Sequence, residues 1–441
     1  MKLTILGGGG FRVPLVYRAL LDQHGSNRIT ELHLHDVDGT RLRVIGSVLS
    51  ELAEGVADAP TVSVSTDLDH AIAGADFVFS AIRVGGLAGR TIDERVALGQ
   101  GVLGQETVGA GGIAYGLRTV PVALDIARRV RRLAPQAWLI NFTNPAGLVT
   151  EAMSAELGNR VIGICDSPVG LGRRVAATLG IDPETARFDY AGLNHLGWLR
   201  RVEVNGVDQL PRFLADPAAH RSFEESRLFG TEWLRTLGSV PNEYLYYYYF
   251  TRETIAAATE AAQTRGEFLL NQQDRFYREV GEGGPALTVW ERTRAEREAT
   301  YMAEARDEER DTVDLDGGGY DQMALALMRA IAEDRPTTMI LNVRNSVGLS
   351  GLDSEAIVEV PCFVDGNGAR PLSVSPLDPH QAGLVSSVKA AERATIAAAV
   401  SGSRRSALRA FALHPLVDSV NVAGRLLDGY LAGHAQLAYL R

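Results

Sequence analysis

Residues 1–14 read Met1-Lys2-Leu3-Thr4-Ile5-Leu6-Gly7-Gly8-Gly9-Gly10-Phe11-Arg12-Val13-Pro14, and the reading of this stretch decides the fold. Leu3–Leu6 is a short apolar run of the kind a buried parallel strand needs. Four glycines then permit a tight turn. Pro14 suits the first turn of a helix, where a missing N–H is no loss. Strand, glycine turn and helix in that order bring backbone N–H groups to a helix N-terminus, which is where a pyrophosphate can be held. The register is atypical, because Arg12 (counting from Gly7) or Val13 (counting from Gly8) stands where the third glycine of G-x-G-x-x-G belongs. The other reading is a tight turn with no ligand.

Outward from this stretch the same rhythm repeats. Apolar runs at Glu31–His35, Val62–Ser65, Phe77–Ile82, Trp138–Asn141 and Val161–Cys165 alternate with amphipathic segments such as Leu15–Gln23, Gly39–Ala53 and Tyr115–Leu133. Six strands separated by helices imply right-handed crossovers and an α/β fold. The expectation is a Rossmann-like, doubly wound parallel sheet that binds a dinucleotide, spanning residues 1–190. Asp36, at the end of the second strand, stands where an acidic residue commonly holds a ribose. Past residue 190 the rhythm changes to helical stretches: Phe223–Arg235, Arg252–Arg278, Leu287–Arg310, Tyr320–Glu333 and Leu384–Ala412. Strand-like pieces at Thr338–Val343 and Ala356–Val364 interrupt them. The reading is a mostly helical α+β domain over residues 191–441, with surface loops at Gly281–Pro285 and Asp307–Gly319.

Composition narrows the function. The chain has 441 residues, 46% hydrophobic and 22% charged, with a formal charge of −10, which excludes disorder and disfavours nucleic acid as a partner. Two cysteines make no disulfide framework and fit a reducing compartment. No apolar run approaches the roughly 18 residues needed to span a bilayer, and the first residues do not read as a signal peptide. The expectation is a cytoplasmic protein without a membrane partner.

Several residues have chemistry beyond packing. Cys165-Asp166-Ser167-Pro168 ends the sixth strand, at the edge where open α/β sheets bind ligands. His195 lies in Gly192-Leu193-Asn194-His195-Leu196-Gly197-Trp198. A cysteine and a histidine on adjacent elements either share a metal or are a small buried hydrophobe and a satisfied polar residue. Asn141 and Asn144, after the fifth strand, either bind sugar hydroxyls or make an Asx turn. Arg83 to Gly112, with Arg90 and Glu106 inside it, reads as one long glycine-rich loop with a functional role. In Pro241–Phe250 the tyrosines pack, unless one has a pKa lowered enough to act as a base.

Together these residues resemble the family 4 glycoside hydrolases, the NAD- and metal-dependent glycosidases. The order is specific: the glycine loop, Arg90, Gly104-Gln105-Glu106-Thr107-Val108-Gly109-Ala110-Gly111-Gly112, Asn144-Pro145, Cys165-Asp166-Ser167-Pro168, Gly192-Leu193-Asn194-His195 and Pro241-Asn242-Glu243-Tyr244-Leu245. The resemblance extends to Asn342–Asn345 and Val358–Pro361. It implies that Gly7, Gly8, Gly9, Gly10, Phe11, Arg12 and Asp36 bind NAD, and that Cys165 and His195 hold a divalent metal such as Mn²⁺. It further implies that Arg90 and Asn144 bind the sugar and that Arg265 binds its 6-phosphate. Tyr244 would be the base, Glu106 the carboxylate that raises its basicity, and Asp166 the acid. The implied reaction oxidises C3 transiently, removes the C2 proton, eliminates the aglycone, adds water and reduces C3 again.

Within the family, Cys-Asp-Met-Pro accompanies phospho-α-glucosidases and Cys-Asn-Val-Pro many phospho-β-glucosidases. The Gly192–Trp198 motif resembles the bacterial 6-phospho-β-glucosidases, which implies phosphorylated β-glucosides as substrate. The 6-phospho-α-glucosidases are the alternative, and a lactate/malate-type dehydrogenase a remoter one. The resemblance also implies a homo-oligomer, a dimer or tetramer. An acidic protein repels NAD⁺ and sugar phosphates on average, so binding would rest on the helix N-terminus, Arg90, Arg265 and a bound cation.

Overall fold

In the computed structural model, every residue is described except 24, 26, 222 and 301–318. The N-terminal part contains β1 (Lys2–Leu6), α1 (Val13–Leu21), β2 (Glu31–His35), α2 (Gly39–Leu52), β3 (Thr61–Ser65), α3 (Leu68–Ile72) and β4 (Phe77–Ser80). It continues with α4 (Gly86–Leu98), α5 (Gly109–Leu133), β5 (Trp138–Asn141), α6 (Ala146–Leu157), β6 (Val161–Gly163) and α7 (Ser167–Thr178). The six strands are parallel in the order β3-β2-β1-β4-β5-β6, as the strand–helix alternation predicts. Helix starts follow local chemistry. Asp38, for example, caps α2 by accepting the N–H groups of Thr40 and Arg41 at 2.9 and 3.1 Å.

The sheet does not stop where the rhythm changes. Past α7 come β7 (Arg187–Leu193), β8 (Leu196–Val204), β9 (Val207–Asp208), α8 (Leu210–Ala215), α9 (Glu224–Phe229), α10 (Thr231–Leu237) and β10 (Val240–Pro241). After a single 3₁₀ turn, Glu243–Leu245, follow α11 (Tyr246–Tyr249), α12 (Thr251–Glu260), α13 (Arg265–Gly281), α14 (Ala286–Ala299) and α15 (Tyr320–Ala332). The last elements are β11 (Thr337–Arg344), β12 (Ile357–Asp365), β13 (Gly368–Pro371), α16 (Pro379–Ser401), α17 (Arg404–Leu413) and α18 (Val420–Gly433). Strands β11, β12, β7, β8 and β10 extend the parallel half in antiparallel pairings, forming one continuous sheet. Residue 190 lies inside β7.

Four expected elements differ in the structure, among them the stretch 223–235, which breaks at Gly230 (φ +79°) into α9 and α10. The expected loop from Arg83 to Gly112 contains the whole of α4 and the start of α5, joined by residues 99–108. The expected helix at 384–412 is two helices broken at Gly402, which takes φ +69°. The stretch 252–278 is likewise split, because Thr264 starts α13 with a capping box to Glu267. Most of the expected loop Asp307–Gly319, and the end of Leu287–Arg310, lie outside the described residues. Among the described residues no helix is long and apolar enough to cross a membrane.

Leu3, Ile5, Leu32 and Leu34 face α1 and α2 in the largest core, which runs on under the antiparallel half. Leu6, Val78 and Leu139 form a second core with α5 and α6. Both faces of the parallel strands are therefore buried. That leaves their carboxyl ends as the open edge.

Candidate active site

A cavity of about 1580 Å³ lies at this edge. Gly7 follows β1, Arg83 follows β4, Asn144 follows β5, and Cys165 and Asp166 follow β6. The antiparallel half supplies His195 from the turn between β7 and β8, and Tyr244 from the 3₁₀ turn after β10. Gly7, Gly10, Phe11, Arg12, Asp36, Arg90, Glu106, Asn144, Cys165, Asp166, His195, Tyr244 and Arg265 all line this one cavity. Of the residues singled out from sequence, Gly8 and Gly9 do not reach it.

The glycine turn is held together through its own N–H groups. Its N–H groups point into the protein: Gly7 and Gly8 donate to the His35 carbonyl at 2.9 and 2.7 Å, and Gly10 donates to the Gly7 carbonyl at 2.9 Å. The Gly9 N–H goes to the Asp36 carboxylate at 3.0 Å. Steric need explains the run. Gly7 has φ +85°, and a Cβ there would lie 2.5 Å from the Ala81 carbonyl oxygen; one at Gly8 would lie 2.7 Å from the Leu34 Cβ. The turn is pressed between neighbouring strands, and Asp36 organises it as well as facing the cavity. Three side chains from the second half hold the turn's carbonyls: the Tyr277 hydroxyl donates to Gly9 at 2.6 Å, the Trp290 indole to Phe11 at 2.8 Å and the Tyr320 hydroxyl to Arg12 at 2.8 Å.

Charge is distributed unevenly around the cavity. The Glu106 carboxylate meets Arg83 at 2.9 Å and Arg90 at 2.5 Å. Burial opposes its ionisation, but the two guanidiniums prevail and hold the carboxyl far below the usual carboxylate range. Arg90 also pairs with Glu94 at 2.7 Å. Arg265 donates to the Thr300 hydroxyl at 2.7 Å and to the Arg297 carbonyl at 3.0 Å, thereby anchoring the end of α14. Arg297 has the least favourable surroundings for a cation. Burial, then the guanidiniums of Arg12, Arg265, Arg83 and Arg90, lower its pKa well below the ordinary value. Sequence reading missed Arg297 and the part played by Arg83, because neither carries a local motif. The Asn144 Oδ1 is buried without a hydrogen-bond partner among the described residues, so it has acceptor capacity for a ligand.

Cys165 and His195 are both buried. Burial pushes the Cys165 thiol up, with Glu359 and Asp166 adding to the effect while Ser167 works against it. His195 occupies the two-residue turn between β7 and β8 with φ +60°, an uncommon conformation for a side-chain-bearing residue. Burial lowers its pKa to about 3, against the pull of Glu106, so the imidazole is neutral. Its ring stacks on Tyr244, with centroids 3.6 Å apart and planes within 2°. Among the described residues no third Cys, His, Asp or Glu completes a metal cluster. A cysteine sulfur, which would lose its proton on binding a metal, and a neutral imidazole are nevertheless competent donors, and two protein ligands would leave positions for substrate oxygens.

Comparison with known proteins gives the family. A family model described as family 4 glycosyl hydrolase matches residues 2–181, and one described as family 4 glycosyl hydrolase C-terminal domain matches residues 190–417. The chain belongs to the family 4 glycosyl hydrolases, a class of enzyme. It is 32% identical to a probable 6-phospho-beta-glucosidase of Bacillus subtilis, over 100% of this chain and 97% of the relative. It is 30% identical to 6-phospho-alpha-glucosidase 1 of Lacticaseibacillus paracasei, over 97% and 96%. Among solved structures, the 6-phospho-beta glucosidase of Thermotoga maritima with manganese, NAD⁺ and glucose-6-phosphate superposes with a TM-score of 0.81. That match has 27% identity and covers 98% of each chain.

Proposed function

We propose that this chain hydrolyses 6-phospho-β-glucosides to glucose 6-phosphate and the aglycone, using NAD⁺ and a divalent metal such as Mn²⁺. The supporting observation is the cluster of five arginines lining the cavity, Arg297 with Arg12, Arg83, Arg90 and Arg265 about it, where burial and like charge disfavour the Arg297 cation and an anionic ligand would relieve it. Cys165 and His195 would hold the metal, and Gly7, Gly10, Phe11, Arg12 and Asp36 would border the dinucleotide. When bound, these groups would supply a reversible hydride acceptor and a Lewis acid. Oxidation at C3 makes the neighbouring C2–H acidic enough for a side-chain base.

The chain's own residues do the rest. Tyr244 takes the C2 proton on its phenolic oxygen, and Asp166 gives a proton to the departing aglycone oxygen. Arg90 and Asn144 orient the sugar, and Arg265 with Arg297 receives its 6-phosphate. Glu106 fixes Arg83 and Arg90 in this cluster, and its negative charge would raise the basicity of Tyr244. Support for the β anomer comes from the Gly192–Trp198 motif and the 32% identical relative, while an α-named relative at 30% marks the competing specificity. The two p-nitrophenyl glucoside 6-phosphates, α and β, assayed side by side with NAD⁺, Mn²⁺ and a thiol, distinguish them. The β-glycoside should be cleaved at least about 10-fold faster in kcat/KM, a difference of roughly 1.4 kcal/mol. A preference for the α-glycoside would reverse the assignment.

A further inference from the structure

Gln105, Thr107 and His195 form a chain of hydrogen bonds whose direction is set from one end. The Gln105 side-chain oxygen accepts the backbone N–H of Thr107 at 2.5 Å and that of Val108 at 3.0 Å. Two N–H donors on one atom identify it as the amide oxygen. The Thr107 hydroxyl lies 3.0 Å from the same oxygen and must donate its single proton there, since an amide oxygen only accepts. The hydroxyl's second contact, to His195 Nδ1 at 3.0 Å, therefore runs the other way, from an Nδ1–H donor to the hydroxyl oxygen. A neutral imidazole with its proton on Nδ1 carries its lone pair on Nε2.

From this we infer that Gln105 and Thr107 are positioning residues which hold His195 in the tautomer whose Nε2 is free to bind a divalent cation. The inference rests on the metal reading above and assigns that site two supporting residues. Both are locked by the backbone. A Cβ at Gly111 would lie 2.0 Å from the Gln105 carbonyl oxygen, and one at Gly112 would lie 2.6 Å from that of Thr107. The glycines at the start of α5 thus let residues 105–107 lie flush against the helix. Within that tripeptide the middle residue, Glu106, turns to Arg83 and Arg90, while Thr107 turns to the histidine. The imidazole is clamped on its flat side by Tyr244 and at its edge by Thr107. Thr107 and His195 are 8% and 6% exposed, so water does not compete for the link.

The test uses the full chain, freed of metal and labelled with nitrogen-15 at histidine. His195, assigned by the loss of its signals in His195→Asn, should show a protonated Nδ1 and an unprotonated Nε2. Titration with Mn²⁺ alone, followed by electron paramagnetic resonance, should give a Kd roughly 10- to 100-fold weaker for Thr107→Val. Thr107→Ser, which keeps the hydroxyl, should restore the affinity. An Nε2–H tautomer in the wild type would overturn the relay, as would equal Mn²⁺ affinity of Thr107→Val and wild type. If Thr107→Val does not fold, the wild-type tautomer and the Thr107→Ser titration decide. A wild type that binds no Mn²⁺ would overturn the metal reading itself, and the relay with it.

Discussion

Glu359 on β12 is surrounded by hydrogen-bond donors just beneath the metal-site candidates. Asn342 and Asn194 each give an N–H to Oε1, at 2.8 and 3.2 Å, and the Tyr190 hydroxyl lies 3.2 Å from Oε2. Burial pushes the carboxyl up to about 7, although these hydrogen bonds oppose it. A carboxyl raised above its unfolded value stabilises the fold in its neutral form. That contribution is complete below the unfolded value and is lost as pH rises through about 7. Gln at this position keeps an acceptor for the two asparagines and a donor for Tyr190, without the titration. In metal-free protein, Tm of the wild type should therefore fall relative to Glu359→Gln between about pH 5 and pH 8. Parallel profiles would show that the carboxylate is tolerated at no cost. Among single residues, Cys165, Asp166, His195 and Tyr244 were singled out by the order of the family motifs, since locally each reads equally well as a packed or satisfied side chain. Glu359 and Arg297 stayed hidden because a strand or helix position acquires its role only from neighbours distant in sequence.

Among the elements, the glycine turn shows best what local reading can and cannot supply. Its place between β1 and α1 was legible from the apolar run, the glycines and Pro14. Its dependence on α13, α14 and α15 was not, since Tyr277, Trp290 and Tyr320 are 268 to 308 residues away from the carbonyls they hold. A neutral hydrogen bond of this kind contributes about 1 kcal/mol. Tyr277→Phe with Tyr320→Phe should accordingly weaken NAD⁺ binding by roughly 10-fold, seen by calorimetry, while leaving the far-ultraviolet circular dichroism intact. An unchanged NAD⁺ affinity would mean that the turn keeps its shape alone. The hairpin of β7 and β8 went unread for a related reason. Its turn is Asn194-His195 rather than a glycine dipeptide, and buried residues such as Leu196, Trp198 and Leu199 sit on both faces of β8. No clean alternation marks it as a strand.

Over the whole molecule, one sheet gathers residues from both halves of the chain at a single edge. The parallel half brings Arg12, Arg83, Asn144, Cys165 and Asp166, and the antiparallel half His195 and, through β10, Tyr244. Neither half alone contains the pairing of thiol, imidazole and phenol. A net charge of −10 would repel NAD⁺ and a sugar phosphate at long range, and Arg297 with the guanidiniums of Arg12, Arg83, Arg90 and Arg265 is the local positive charge that would offset it. On the proposed function, this combined site cleaves glycosides through a redox cycle that returns its hydride. The cycle is tested most directly with protein stripped of NAD and metal and given p-nitrophenyl β-glucoside 6-phosphate, while nitrophenol and NADH absorbance are followed together. Nitrophenol should appear only after NAD⁺ and Mn²⁺ are both restored, over many turnovers, with no accumulation of NADH. Nitrophenol release by the stripped protein, or one NADH formed for each nitrophenol, would contradict the account.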